Sequence, residues 1–151
     1  MMENKIRSYE DLEVWKLGIE LTLQTYAIVG MLPSSERFEL SAQMRRAAVS
    51  IPSNIAEGHA RRHPKPYLNH LNIALGSLAE LVTCLVLAMR LGFITSEVFE
   101  REQRETAQLG RMLHGLASSI ERRVEHTRLG LTLGSLGGCL VLGAVFGGFL
   151  R

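Results

Sequence analysis

Four runs of apolar residues follow one another along the chain, each at steps of three and four and each bounded by residues that stop a helix. In the first, Leu12, Trp15, Ile19, Leu23 and Tyr26 recur at helical spacing. Ser8, with Asp11 three residues on, makes a weak capping box at its start. Gly30 and Pro33 end it, because glycine favours a C-cap and proline cannot continue a helix. The second run is Leu40, Met44, Ala47, Ile51 and Ile55, with Ser34 or Ser35 as its predicted cap. Pro52 falls inside it and predicts a kink, since proline withholds one backbone hydrogen bond and crowds the preceding turn. Gly58, Pro64 and Pro66 mark the exit. The third run is the most apolar: Leu68, Leu71, Leu75, Leu78, Leu81 or Val82, Leu85 and Met89, with Gly92 just past its end. Thr95 or Ser96 caps the fourth, and Glu97 and Glu100 in its first turn suit the helix dipole. Val98, Leu109, Leu113, Leu116 and Ile120 carry its stripe; Glu102, Gln103, Arg104 and Glu105 predict a solvated face in its middle.

The linkers at Pro33 and Phe93 are short, and short loops make successive helices antiparallel neighbours. No alternating run of β-branched residues competes. Residues 1–123 are therefore predicted to form an all-α, antiparallel up-down-up-down four-helix bundle. The full 151 residues are about one domain, enough to bury roughly two thirds of the unfolded surface.

Residues 124–151 belong to another composition class. Leu129–Leu150 holds no charged residue, and only Arg151 follows it. At 1.5 Å per residue a helix of this length crosses a bilayer. Gly130, Gly134 and Gly138 repeat every four residues, as do Gly143 and Gly147, the spacing that lets membrane helices pack closely. The leucines, valines and phenylalanines favour insertion by roughly 3–7 kcal/mol, and each glycine opposes a helix by about 1 kcal/mol. Three readings follow: a membrane anchor, a soluble tail packed on the bundle or in the channel of an oligomer, or a stretch without evolved function past a true end near Arg123.

Charge narrows the picture little. Lys plus Arg is 17 against 15 Asp plus Glu, a net charge of +2, too small a bias to mark a nucleic-acid partner by itself. Cys84 and Cys139 stand far apart and read as free thiols of a cytosolic protein. The polar start, Met1 to Arg7, lacks the apolar core of a secretory signal.

Several stretches resemble a family of bacterial four-helix bundle proteins associated with intervening sequences in large ribosomal RNA genes. They are Tyr9 to Trp15, Glu36 to Leu40, Gln43 to Gly58, Ala74 to Leu81 and Arg90 to Phe93, and the run from Arg45 to Gly58 is the most specific. The resemblance implies antiparallel bundles that associate into barrel-shaped homopentamers, without enzymatic activity or cofactor. It also reaches a related branch, the accessory variability proteins of diversity-generating retroelements, and so implies RNA or a reverse transcriptase as a partner.

Two groups of residues are candidates for recognition. Arg46, Ser50, Asn54 and Glu57 share one face of the second helix, and Ser77 and Glu80 one face of the third. Polar groups within helical interfaces cost about 1–3 kcal/mol each if unpartnered. We read them as an internal or inter-subunit network, for example Arg46 with Glu80, that sets register and assembly; the competing reading is a recognition surface. Arg45, Arg61, Arg62, His63 and Lys65 form the densest basic group, a candidate for phosphate contact or a solvated helix end. His59 and His63 stand four apart, but no third ligand accompanies them and Pro64 follows, so no metal site is predicted. An all-helical nuclease needs Arg and His about a turn and a half apart; Arg111 with His114 and Arg122 with His126 lack that spacing. No catalytic set, phosphate loop or paired carboxylate signature appears, and the chain reads as a non-enzyme.

Overall fold

The computed structural model describes residues 7–142, with the side chains of the last helix described as far as Glu125. A 3-10 turn at Tyr9–Asp11 leads into α1 (Glu13–Val29), and a second at Ser34–Phe38 leads into α2 (Leu40–Ala60); α3 (Pro64–Arg90) and α4 (Ser96–Leu142) follow. Among the described residues there is no strand. The α2 helix packs on α3 and α1, and α4 returns along α3 and closes against α1. The result is the all-helical bundle expected from the apolar periodicity.

The termini follow local chemistry. Ser8 accepts from the Glu10 backbone N–H while Asp11 accepts from the Ser8 N–H, so the capping box forms around the first 3-10 turn. Ser34 and Ser35 do not cap α2; they are taken up in the second 3-10 turn, and Glu39 stands at the α2 N-cap without a side-chain bond. Pro64 opens α3, where its missing N–H leaves nothing unsatisfied. Gly92 has φ +74, the left-handed conformation that ends α3: its N–H donates to Met89 and that of Phe93 to Ala88. The Thr95 hydroxyl then accepts from the Val98 N–H at the start of α4.

The core is built from Leu21 and Ile28 of α1, Met44, Ile51 and Ile55 of α2, Leu71, Leu81 and Leu85 of α3, and Leu109 and Leu113 of α4. Each contributes about 1.5–3 kcal/mol by leaving water. The buried stripe of α1 is not the expected one. Val14, Gly18, Leu21, Thr25 and Ile28 face inward, whereas Leu23 is 60% and Tyr26 49% exposed. A Cβ on Gly18 would stand at an ordinary contact distance, 3.5 Å, from the Cβ of Pro52, so the face of α1 that carries Gly18 lies against α2. Pro52 itself is buried within one helical run.

The solvated face expected in the middle of α4 is there at Gln103 and Arg104, but Glu102 is not part of it. Glu102 is 0% exposed and continues the inward stripe of Thr106, Leu109, Leu113, Ala117 and Ile120. The Arg101 Nε and Nη2 each stand 3.1 Å from its Oε1, and its Oε2 has no partner.

The backbone of α4 passes through the expected boundary at residues 123/124 without a break. The expected membrane segment Leu129–Leu150 lies outside the residues whose side chains are described. Among the described residues, α3 is long and apolar enough to cross a membrane, and Leu71, Leu78, Leu81 and Leu85 bury its apolar face in the bundle.

Candidate interaction surfaces

The seam between α2 and α3 holds a directional chain of hydrogen bonds. The Asn54 amide donates to the Ser50 carbonyl at 2.8 Å and to the Ser50 hydroxyl at 3.1 Å. The Ser50 and Ser77 hydroxyls are 2.8 Å apart, and Ser77 donates onward to the Ile73 carbonyl at 3.0 Å. Ser50 is therefore the donor to Ser77, because each hydroxyl has one hydrogen. At the other end Asn54 Oδ1 meets His70 Nδ1 at 3.0 Å, and the Glu57 carboxylate lies 3.8 Å from the same nitrogen. An amide oxygen only accepts, so His70 carries its proton on Nδ1 here. The structure thus brings together Ser50, Asn54, Glu57 and Ser77, and adds His70.

Gly58 allows this seam to close. A Cβ there would meet the Tyr67 ring at 2.6 Å and the His70 Cβ at 2.9 Å. Tyr67 packs edge-on to His59, ring centroids 6.0 Å apart. Its hydroxyl is buried without a hydrogen-bond partner, and burial raises the phenol to about 12 although Arg123 of α4 pulls it down.

Arg46 does not pair with Glu80. It is exposed and donates to Gln43 on its own helix. The Glu80 charge instead bears on Cys84 one turn along, where burial first and that carboxylate second raise the thiol. Arg46 stands on an outer ridge of α2 between two open grooves. On one side Tyr26 and Val49 line the α1–α2 groove, with Leu23 exposed one turn before Tyr26. On the other, Phe38, Leu87 and Leu91 line the α2–α3 groove, with Phe38 81% exposed.

The basic group is not one cluster. Arg45 lies near the start of α2 and donates to the Arg37 carbonyl at 3.1 Å. At 1.5 Å per residue it stands about 24 Å along the helix from Arg61. Arg61, Arg62 and Lys65 are all exposed around the α2–α3 turn. Arg62 has φ +57, the left-handed conformation that closes α2. That turn separates His59, in the last turn of α2, from His63, the N-cap of α3. Among the described residues no three His, Cys, Asp or Glu side chains gather around a metal-sized space.

A family model for the 23S rRNA-intervening sequence protein matches residues 10–115. The chain belongs to that family. The match covers α1 to α3, the two grooves, the polar seam and the first part of α4. A protein of unknown function from the S23 ribosomal protein family of Bacteroides thetaiotaomicron has a similar solved structure. Its TM-score is 0.65 at 25% identity, over 70% of this chain and 95% of that one. A search of curated proteins found no match. Neither the intervening-sequence family nor its solved relative is described as an enzyme.

Sequence reasoning missed His70 and the exposed apolar residues. His70 lies sixteen residues from Asn54, on the partner helix, and no local spacing marks it. Leu23 and Tyr26 belong to the apolar stripe expected of α1 but lie outside its buried face, which Gly18 and Thr25 share.

Proposed function

We propose that this intervening-sequence family member is a non-enzymatic homo-oligomeric scaffold or adaptor, a cytoplasmic ring of identical bundles that serves a ribonucleoprotein. One observation carries the reading: two different apolar patches flank the exposed ridge of α2, Leu23, Tyr26 and Val49 on one side and Phe38, Leu87 and Leu91 on the other. A two-fold dimer uses one patch twice, whereas two unlike patches meeting head to tail generate a ring when the rotation closes. The homopentamer implied by the resemblance is such a ring. The dispersed bases Arg45, Arg61, Arg62 and Lys65 are then repeated around it, a geometry suited to RNA bound by phosphate contacts on several subunits. Native mass spectrometry of the intact chain tests the assembly. A fivefold mass supports the ring; a monomer at micromolar concentration removes it. RNA binding is tested by titration at rising salt, where the affinity falls steeply if phosphates are contacted.

A second reading, a membrane-anchored oligomer, is favoured by α4. Its backbone runs unbroken from the bundle to Leu142, into a sequence without charge from Leu129 to Leu150. Carbonate extraction of the expressed protein decides it: release into the soluble fraction ends the anchor.

A further inference from the structure

The two apolar grooves that flank α2 differ in charge. Tyr26, Val49 and the half-buried Arg45 line the α1–α2 groove. Neither residues 21–35 nor residues 40–56, which run along it, include a carboxylate. Glu20 stands about 120° round α1 from Tyr26 and about 9 Å along it. The α2–α3 groove instead carries Glu36 and Glu39 beside Phe38, Leu87 and Leu91. Glu80 lies one turn along α3 from Cys84, which also lines this groove, and its charge reaches that thiol. Against these carboxylates stands the Arg37 guanidinium, 5.5 Å from the Phe38 ring centroid. Arg46, on the ridge, lines both grooves and does not distinguish them. Arg90 is exposed and points about 100° round α3 from its neighbour Leu91.

Within one chain these charges stay unmatched. Arg45 donates to the Arg37 carbonyl, an uncharged acceptor. Among the described residues no ion pair involves Arg45, Glu36, Glu39 or Glu80. The grooves also stand at nearly one height. Residues 42–50 of α2 line the first and residues 40–46 the second, so their centres differ by roughly 5 Å along the helix. Copies that join one groove to the other keep almost the same level. Such an assembly returns on itself, whereas a large offset would climb into a filament.

Resting on the ring reading, we propose that a second copy of this chain occupies each groove, parallel and nearly level, with Arg45 of one copy set against Glu36 and Glu39 of the next. The apolar residues supply affinity. The rim charges select the unlike groove, because joining like grooves would bring like charges together. Arg45 then serves the contact between copies, and Arg61, Arg62 and Lys65 are the bases left for RNA.

Sedimentation velocity of the intact chain over a dilution series tests this. Arg45→Glu places a carboxylate opposite Glu36 and Glu39 and should raise the dissociation constant of the assembly about tenfold or more. Glu36→Lys with Glu39→Lys should do the same. All three substitutions together restore opposite charges at every contact, and that variant should assemble within about threefold of wild type. The loss caused by Arg45→Glu should shrink at high salt. A wild type that is monomeric or stops at a dimer ends the ring reading and the pairing with it. An assembly that ignores Arg45→Glu keeps the ring and overturns the pairing, as does a triple variant no better than either reversal alone. Thermal unfolding of dilute, monomeric protein separates the pair from folding. A melting temperature lowered by Arg45→Glu and recovered in the triple variant would place the pair inside one chain and also overturn the proposal.

Discussion

The Thr22 hydroxyl reaches across from α1 to the carbonyl oxygen of Ala48, 3.0 Å away. Ala48 lies four residues before Pro52, and in an uninterrupted helix the N–H of residue 52 would bond to that oxygen. Thr22 shares the same hydrogen with its own Gly18 carbonyl at 2.8 Å. Gly18 in turn lies under the Pro52 ring. Thr22 thus compensates the proline in part: its hydroxyl replaces some of the missing donor, and Gly18 one turn before it packs against the ring.

This arrangement predicts coupling. Thr22→Val leaves the Ala48 carbonyl without a donor and should cost about 1–2 kcal/mol. In a Pro52→Ala background the new N–H serves that carbonyl, so the same substitution should cost about 1 kcal/mol less. Urea unfolding of the four proteins of the cycle measures the difference. Equal costs in both backgrounds would show that Thr22 does nothing for the proline.

Gly58 is the second place where backbone approach governs side-chain chemistry. Its missing Cβ is filled by the Tyr67 ring and the His70 Cβ, neither of which is the far end of a flexible chain. Gly58→Ala should therefore destabilise by about 1–3 kcal/mol despite the better helix propensity of alanine. Because the clash pushes α3 away from α2, the Asn54–His70 hydrogen bond should lengthen too. Nitrogen NMR of His70 would report loss of the fixed Nδ1 proton; an unchanged spectrum with unchanged stability defeats the argument.

These cases show what the residue pattern disclosed. Gly92, Thr95 and the capping box at Ser8 were legible because a helix end is satisfied by neighbours in sequence. Ser50, Asn54 and Ser77 were legible as a shared polar face, since periodicity alone puts them at an interface. The buried face of α1 was not, because Gly18 and Thr25 carry no apolar signal and only the opposing helix explains them. Nor was His70, or the direction of Arg46, since both depend on the rotation of one helix against another.

Phe38 tests assembly with little risk to the fold. It sits in the second 3-10 turn, mostly in solvent, with the Arg37 guanidinium 5.5 Å from its ring centroid. Phe38→Glu should leave the melting temperature of the isolated bundle nearly unchanged and raise the dissociation constant of the oligomer at least tenfold, about 1.4 kcal/mol. Tyr26→Glu, on the other patch, should do the same. Mixing the two variants should give a heterodimer but no ring, because in a head-to-tail contact the intact patch of one variant meets the intact patch of the other, whereas self-complementary patches would let each variant dimerise by itself. Sedimentation velocity distinguishes these outcomes.

Glu102 makes stability depend on pH. Burial raises its carboxyl above the ordinary range, and the Arg101 guanidinium only partly opposes this. The folded chain therefore holds that proton to higher pH than the unfolded chain does. Its stabilising contribution is complete below the usual carboxylate range and is lost as pH climbs through the raised value. Glu102→Gln keeps the shape and removes the titration. The two proteins should be equally stable near pH 4, and the variant should gain on wild type as pH rises, by about 1–3 kcal/mol near pH 7, the cost of leaving a buried polar group without its partner. Thermal unfolding at several pH values reads the difference directly. A gap that is constant with pH would mean that Glu102 ionises at its ordinary value, with its charge reaching water through motions of the α4 core stripe.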